Sequence, residues 1–231
     1  MSDRWWDYFN GHMGSEYHWL EGAVSHWQFF QTFYGMVLSL LPNGARVLDV
    51  GCGPGYSDLY FASRGYRVTG VDNDKRIVDL AKDLRERLGV SLEYQQGDAF
   101  NLSPFYGSFD MAYSVGVLEH FDRDVTIKLL REQARCARLV LICIPTRYTC
   151  YSDGITDERI YSMRQLKDIV REAGLEVVRG FGFGDVTVTS TQIWFKRLLP
   201  HALYRLTQNR GYAFNIAVMG MNPEFRPVAA T

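Results

Sequence analysis

The sequence has no apolar run near the roughly 18 residues that a membrane-spanning helix needs. Its first residues, MSDRWWDYFN, lack the basic-then-apolar layout of a secretion signal. Cysteine is scarce: Cys52, Cys136, Cys143 and Cys150 are the four, and no two form a CxxC pair. They fit reduced thiols used mostly as small core residues, not a disulfide framework. Neither sign of charge is in excess, with 25 Lys and Arg against 26 Asp and Glu and a net charge of −1. A protein that holds nucleic acid by general phosphate neutralisation carries a clear basic surplus. No internal repeat and no low-complexity tract is present. These absences predict a cytoplasmic protein with no transmembrane segment and no stable nucleic-acid partner.

What is present fits one α/β domain. The 231 residues, 47% of them apolar, suffice to bury a full core. Residues 1–41 are dense in aromatic rings and read as helices. From about 44 to 183, short β-branched runs alternate with amphipathic helices, as βαβ units do. Strands are predicted at Arg46–Val50, Arg67–Asp72, Leu92–Gln96, Phe109–Ser114, Leu139–Ile144, Leu175–Phe183 and Ala213–Met219. Helices are predicted at Ser57–Arg64, Lys75–Leu88, Arg123–Cys136 and Met163–Ala173. In Lys75–Leu88, Ile77, Leu80, Ala81, Leu84 and Leu88 recur at helical spacing, and Gly89 supplies the left-handed stop. An insertion lies at about 184–210, where Pro200 weakens a single straight helix.

The chemistry concentrates at Val47-Leu48-Asp49-Val50-Gly51-Cys52-Gly53-Pro54-Gly55. A buried strand runs into a glycine-rich turn and then a helix. Glycine lets the backbone bend sharply and approach a ligand closely. In an open α/β sheet such a turn lies at the carboxyl ends of the strands, where ligands bind. A nicotinamide dinucleotide is the competing ligand, but its G-x-G-x-x-G/A fingerprint, counted from Gly51, ends on the bulky Tyr56. Pro54 also removes an N–H from the turn that would cradle a pyrophosphate. S-adenosylmethionine (SAM) has no phosphate, and Asp49 places a carboxylate where a methionyl ammonium would lie.

Three further stations follow in order. Asp72 closes the second strand, with Asn73 next, where a carboxylate can accept both ribose hydroxyls. Capping the following helix is the other role open to Asp72, Asn73 or Asp74. Asp98 and Ala99 follow the third strand; the carboxylate can accept from an adenine amine while Ala99 and Phe100 flank the ring, and a plain turn Asp is the alternative. The fourth strand ends near Ser114, which is expected on the cofactor side of the site. In the stretch to Phe121, His120 can take a proton from a substrate hydroxyl or amine, or can instead orient the loop.

Asp49–Gly55, Asp72, Asp98 and Ser114–Phe121 together resemble the successive motifs of the class I SAM-dependent methyltransferase superfamily. Within it, they are most similar to the small-molecule branch of ubiquinone and menaquinone biosynthesis methyltransferases. The resemblance covers about residues 42–183. It implies a Rossmann-like seven-stranded sheet in the order 3-2-1-4-5-7-6, the last strand antiparallel, with helices on both faces. It further implies that Gly51, Gly53 and Gly55 line the methionyl part of SAM, Asp72 the ribose, and Asp98 and Ala99 the adenine. S-adenosylhomocysteine is the implied product. One departure is Arg135-Cys136-Ala137-Arg138, where many relatives carry a Lys-Pro-Gly-Gly-like turn before the fifth strand.

Residues 1–41 are expected to form an aromatic helical lid over a SAM-binding domain at 42–231. Tyr17 or Trp19 is expected to touch ligand, and Arg147 either pairs with an acidic substrate group or stays solvated. The 184–210 insertion is read as a substrate cap, a dimer contact or a membrane-surface helix. No Asn/Asp-Pro-Pro-Tyr/Phe run follows the fourth strand and no Pro-Cys pair occurs, which disfavours amino methylation of adenine or glutamine and C5 methylation of cytosine. No metal site is expected from the histidine and cysteine spacing. The expected activity is methyl transfer to an O or N nucleophile of a small molecule by a monomer or homodimer. The alternatives are methylation of RNA or protein, or a non-catalytic SAM-binding partner subunit.

Overall fold

The computed structural model describes residues 2–13, 18–148, 158–185 and 190–227. Three helices come first: α1 (Ser2–Met13), α2 (His18–Phe29) and α3 (Gln31–Leu40). Strands and helices then alternate through β1 (Arg46–Val50), α4 (Tyr56–Ser63), β2 (Arg67–Asp72), α5 (Lys75–Leu88) and β3 (Glu93–Gln96). The second half holds β4 (Phe109–Val115), α6 (Arg123–Cys136), β5 (Ala137–Pro145), α7 (Met163–Glu172), β6 (Glu176–Phe183), α8 (Ser190–Leu198), α9 (His201–Asn209) and β7 (Asn215–Met221). The seven strands form one sheet in the order β3-β2-β1-β4-β5-β7-β6. β7 alone runs antiparallel to its neighbours, β5 and β6. This is the expected order and sense.

The sheet divides the core by strand periodicity. On β5, Leu141 and Cys143 join the cluster that holds Phe33, Phe61 and Leu84, while Val140, Ile142 and Ile144 join the one holding Leu130, Leu166 and Ile169. Helices α3, α4 and α5 therefore cover one face, and α6 and α7 the other. α5 begins on an Asp74 cap that accepts the N–H of Arg76, and it ends on Gly89 at φ 62°. α7 begins on a capping box made by Ser162 and Gln165.

Five strands, β3 to β7, shift their bounds by one or two residues from the sequence reading. β5 starts at Ala137, which pairs with Phe109 of β4, and β7 runs to Met221 along the antiparallel ladder from Leu139 opposite Met221 to Pro145 opposite Asn215. At the departure from the relatives' turn, α6 ends on Cys136 and β5 opens on Ala137 directly, so no hairpin is needed there.

The aromatic N-terminal region is not uniform. Phe33, Tyr34 and Val37 of α3 are fully buried. Each such side chain contributes about 1.5–3 kcal/mol of burial, so α3 belongs to the core. Only α1 and α2 reach the mouth of the cleft described next. Ring density alone does not separate a core helix from a cover.

Candidate active site

The turn after β1 is fixed from below. The N–H groups of Gly51 and Cys52 both donate to the carbonyl of Val71 in β2, at 2.8 and 3.0 Å. Gly51 and Gly53 take φ of 80° and 54°, a region that favours glycine. A Cβ on Gly51 would lie 2.6 Å from Val117 Cγ2, and one on Gly53 would lie 3.2 Å from Phe9 Cζ. Gly55 instead faces the Tyr94 hydroxyl, beneath the turn.

Above this turn opens a cleft of about 810 Å³, in the size range of small-ligand sites. Asp49, Gly51, Gly53, Asp72, Asn73, Asp98, Ala99 and His120 all line it, as the motifs predict. Four predicted positions do not. Gly55 and Ser114 lie beneath, the latter buried with its hydroxyl 3.5 Å from Gln133 Nε2. Trp19 packs half-buried against the main core. Arg147 is exposed and donates to its neighbour Tyr148. Tyr17 lies outside the described residues. The rings of Trp5, Tyr8 and Phe9 from α1 line the cleft.

Asp72 and Asp74 at the end of β2 and Asp98 after β3 divide their roles. Asp72 accepts the N–H of Gly53 through Oδ2 and that of Asp74 through Oδ1, both at 3.1 Å, while Asp74 caps α5. Asp98 accepts the N–H of Phe100 at 2.9 Å, so its turn role is present as well.

Beneath the cleft lies a carboxyl pair that motif reading missed. The first turn of α4 brings Asp58 back against Asp49, and both are buried. Tyr113 donates its hydroxyl to Asp58 Oδ1 at 2.6 Å. Asp49 Oδ1 and Asp58 Oδ2 have no hydrogen-bond partner among the described residues. Burial pushes the Asp58 carboxyl up to about 7, and burial plus the Asp58 charge pushes Asp49 up well above the usual range. A cationic donor placed against Asp49 would satisfy an orphaned oxygen.

His26 of α2 also lines the cleft. Its Nε2 lies 3.1 Å from Ser57 Oγ, which in turn lies 3.2 Å from the Tyr34 hydroxyl. Burial pushes this imidazole down to about 4, so it is neutral at neutral pH. His120, by contrast, packs edge-on against Trp5 of α1 at a centroid distance of 5.0 Å. Ligand atoms of Glu119, His120 and Glu158 lie within 4.8 Å of one another, a grouping able to hold a cation. Glu158 is 38 positions from His120, beyond the reach of a spacing rule.

The lining is rich in carboxyl groups. Glu21, Asp49, Asp72, Asp98, Glu119 and Glu158 line it together with Asp74, which pairs with Arg76, and no Lys or Arg is among its described lining residues. A site of this kind repels phosphate and favours cations.

Residues 47–138 match the family described as "Methyltransferase domain". The same fold recurs in a SAM-dependent methyltransferase from Aquifex aeolicus, with a TM-score of 0.64 at 18% identity, covering 86% of this chain and 93% of that one. Over residues 47–138 the chain is similar to methyltransferase domains. In sequence, the chain is 36% identical over 78 residues to a ubiquinone biosynthesis O-methyltransferase of Methylocella silvestris, covering 34% of this chain and 30% of that protein. A magnesium-protoporphyrin O-methyltransferase of Rhodobacter capsulatus is 34% identical over 94 residues, 39% of this chain and 41% of that protein. The chain thus spans less than half the length of these curated relatives. No helix among the described residues is long and apolar enough to cross a membrane.

Proposed function

We propose that this chain is a SAM-dependent methyltransferase acting on an O or N nucleophile of a small acceptor that is neutral or cationic. The observation that carries this reading is the acid-lined cleft, with Asp49 at its floor and no Lys or Arg among its described lining residues. SAM carries an ammonium and a sulfonium, whereas a nicotinamide dinucleotide carries a pyrophosphate. The lining also disfavours a carboxylate acceptor, since Arg147 does not reach the cleft. RNA is disfavoured for the same reason.

Asp49 holds the methionyl ammonium, Asp72 the ribose hydroxyls, and Asp98 the adenine amine between Ala99 and Phe100. The cofactor supplies, when bound, a methyl group already activated by its sulfonium. The protein's task is alignment and exclusion of water. α1 does the second: Trp5, Tyr8 and Phe9 close the cleft from above, and an ion pair from Asp3 to Arg76 at 3.1 Å ties α1 to α5. His120 takes the proton of a hydroxyl acceptor. The nearby carboxyl groups of Glu119 and Glu158 stabilise the imidazolium so formed. α1 and α2 serve as the cover of the site. The test is turnover of isotopically labelled SAM against matched sets of phenols, amines and carboxylic acids. Labelling confined to carboxylic acids would overturn the acceptor assignment.

A further inference from the structure

We propose that the α8–α9 hairpin docks on the surface of an anionic lipid bilayer. Six of the twelve exposed large apolar side chains among the described residues sit on these two short helices: Ile193, Trp194, Phe195, Leu198, Leu203 and Leu206. Trp194 and Leu198 are the most open, at 66% and 65% exposed. Soluble surfaces scatter such groups singly, and a concentration of this kind marks an interaction surface.

The charge pattern names the partner. From residue 186 to residue 223 the sequence contains no Asp or Glu, but it contains Arg197, Arg205 and Arg210, besides Lys196, which pairs with Asp185. Basic groups beside exposed Trp and Leu are the composition of an interfacial amphipathic helix, in which apolar chains enter the acyl boundary and cations meet lipid phosphates. The helical register agrees. Leu203, Leu206 and Arg210 follow one another at i, i+3 and i+7, on one side of α9. Tyr204 and Gln208 occupy the other side and are buried, with Gln208 Nε2 donating to the Gly184 carbonyl. On α8, exposed Arg197 falls between Ile193 and Trp194 in helical projection. Pro200 separates the two helices, so each can lie flat.

The position suits an enzyme that meets its acceptor at a membrane. The hairpin leaves the sheet between the end of β6 and the start of β7, where Phe183 pairs with Asn215 and Pro145 of β5 pairs with the same Asn215. That is the carboxyl end of the parallel strands, the end that carries the cleft. Its stem also touches α2: a Cβ on Gly184 would lie 2.7 Å from Phe29 Cζ, on the helix whose His26 lines the cleft.

The experiment is sedimentation of the full chain with vesicles of phosphatidylcholine alone or with phosphatidylglycerol, with Trp194 emission as a second signal against a Trp194→Phe control. The expected result is binding that requires phosphatidylglycerol, is released by salt, and blue-shifts Trp194. Each of Arg197→Gln and Arg210→Gln should weaken binding about fivefold. The double variant Trp194→Ala, Leu198→Ser should weaken it on the order of tenfold or more with an unchanged melting temperature. Three results would overturn the proposal: no partition into anionic vesicles, full binding by the double variant, or a dimer by light scattering that the Leu198→Ser change dissolves. The last would assign the patch to a second copy of the chain.

Discussion

Tyr113 donates its hydroxyl to Asp58 at 2.6 Å, and so holds in place a buried carboxyl that presses against Asp49 under the cleft. The native state keeps a proton on Asp58 up to about pH 7, whereas the unfolded chain releases it near 3.8. The fold therefore binds the extra proton between those values. The stability this contributes is full below about pH 4 and is lost as the pH rises to 7. Asp58→Asn keeps an acceptor for Tyr113 and gives Asp49 a donor without a titrating proton. Its unfolding free energy, measured by denaturant titration, should gain on the parent as pH rises from 5 to 8. A difference that stays flat across that range would sink the assignment.

The same pair sets the pH dependence of cofactor binding. A cation against Asp49 favours the ionised carboxyls, so binding releases a proton near neutral pH. Calorimetry with S-adenosylhomocysteine in two buffers of different ionisation enthalpy should show that release at pH 6.5, and affinity should rise towards pH 8. Equal heats in the two buffers would count against an ammonium at this place.

Asp72 already holds the N–H groups of Gly53 and Asp74, and the ribose reading asks it to accept from ligand as well. Each charge-assisted bond contributes on the order of 1.5–3 kcal/mol. Asp72→Ala should therefore weaken S-adenosylhomocysteine at least tenfold while the variant stays folded by circular dichroism. An unchanged dissociation constant would leave Asp72 as an anchor of the turn only.

Much of this arrangement was legible in the sequence, and the part that was not has physical reasons. The glycine turn, Asp72 and Asp98 are local signals: each needs only a strand end and a residue type. The extents of α5 and α6 also follow from local periodicity. Asp58 escaped notice because its partner is found only after the chain has turned from β1 into α4. Trp5 and Phe9 were overlooked in favour of Trp19, since ring content cannot say which helix crosses the cleft and which enters the core. Gly55 shows the same limit: it needs its φ of 77° but turns its free space towards Tyr94, not towards ligand. Glu158 joins His120 only through the tertiary fold.

α1 covers the cleft through Trp5, Tyr8 and Phe9 and rests on Gly53 through Phe9. Amide exchange across residues 2–13 should slow when S-adenosylhomocysteine is added, because closure orders this helix. Deleting residues 1–13 should cost turnover more than it costs the melting temperature, since the fully buried rings begin at Phe33. A truncated chain that fails to fold would place α1 in the core instead.

The base assignment rests on His120, held against Trp5 at 5.0 Å. His120→Gln should lower kcat for a hydroxyl acceptor by about 10²–10⁴ and leave the affinity for S-adenosylhomocysteine nearly unchanged. A variant that keeps the parent's rate would return His120 to an orienting role.

The central claim is that the acid-lined cleft takes a cationic adenosyl cofactor, and calorimetry with the intact chain tests it most directly. SAM and S-adenosylhomocysteine should bind one per chain and raise the melting temperature, NAD should give no heat, and Asp49→Asn should weaken the adenosyl ligands at least tenfold. Binding of NAD with no binding of SAM would contradict the account.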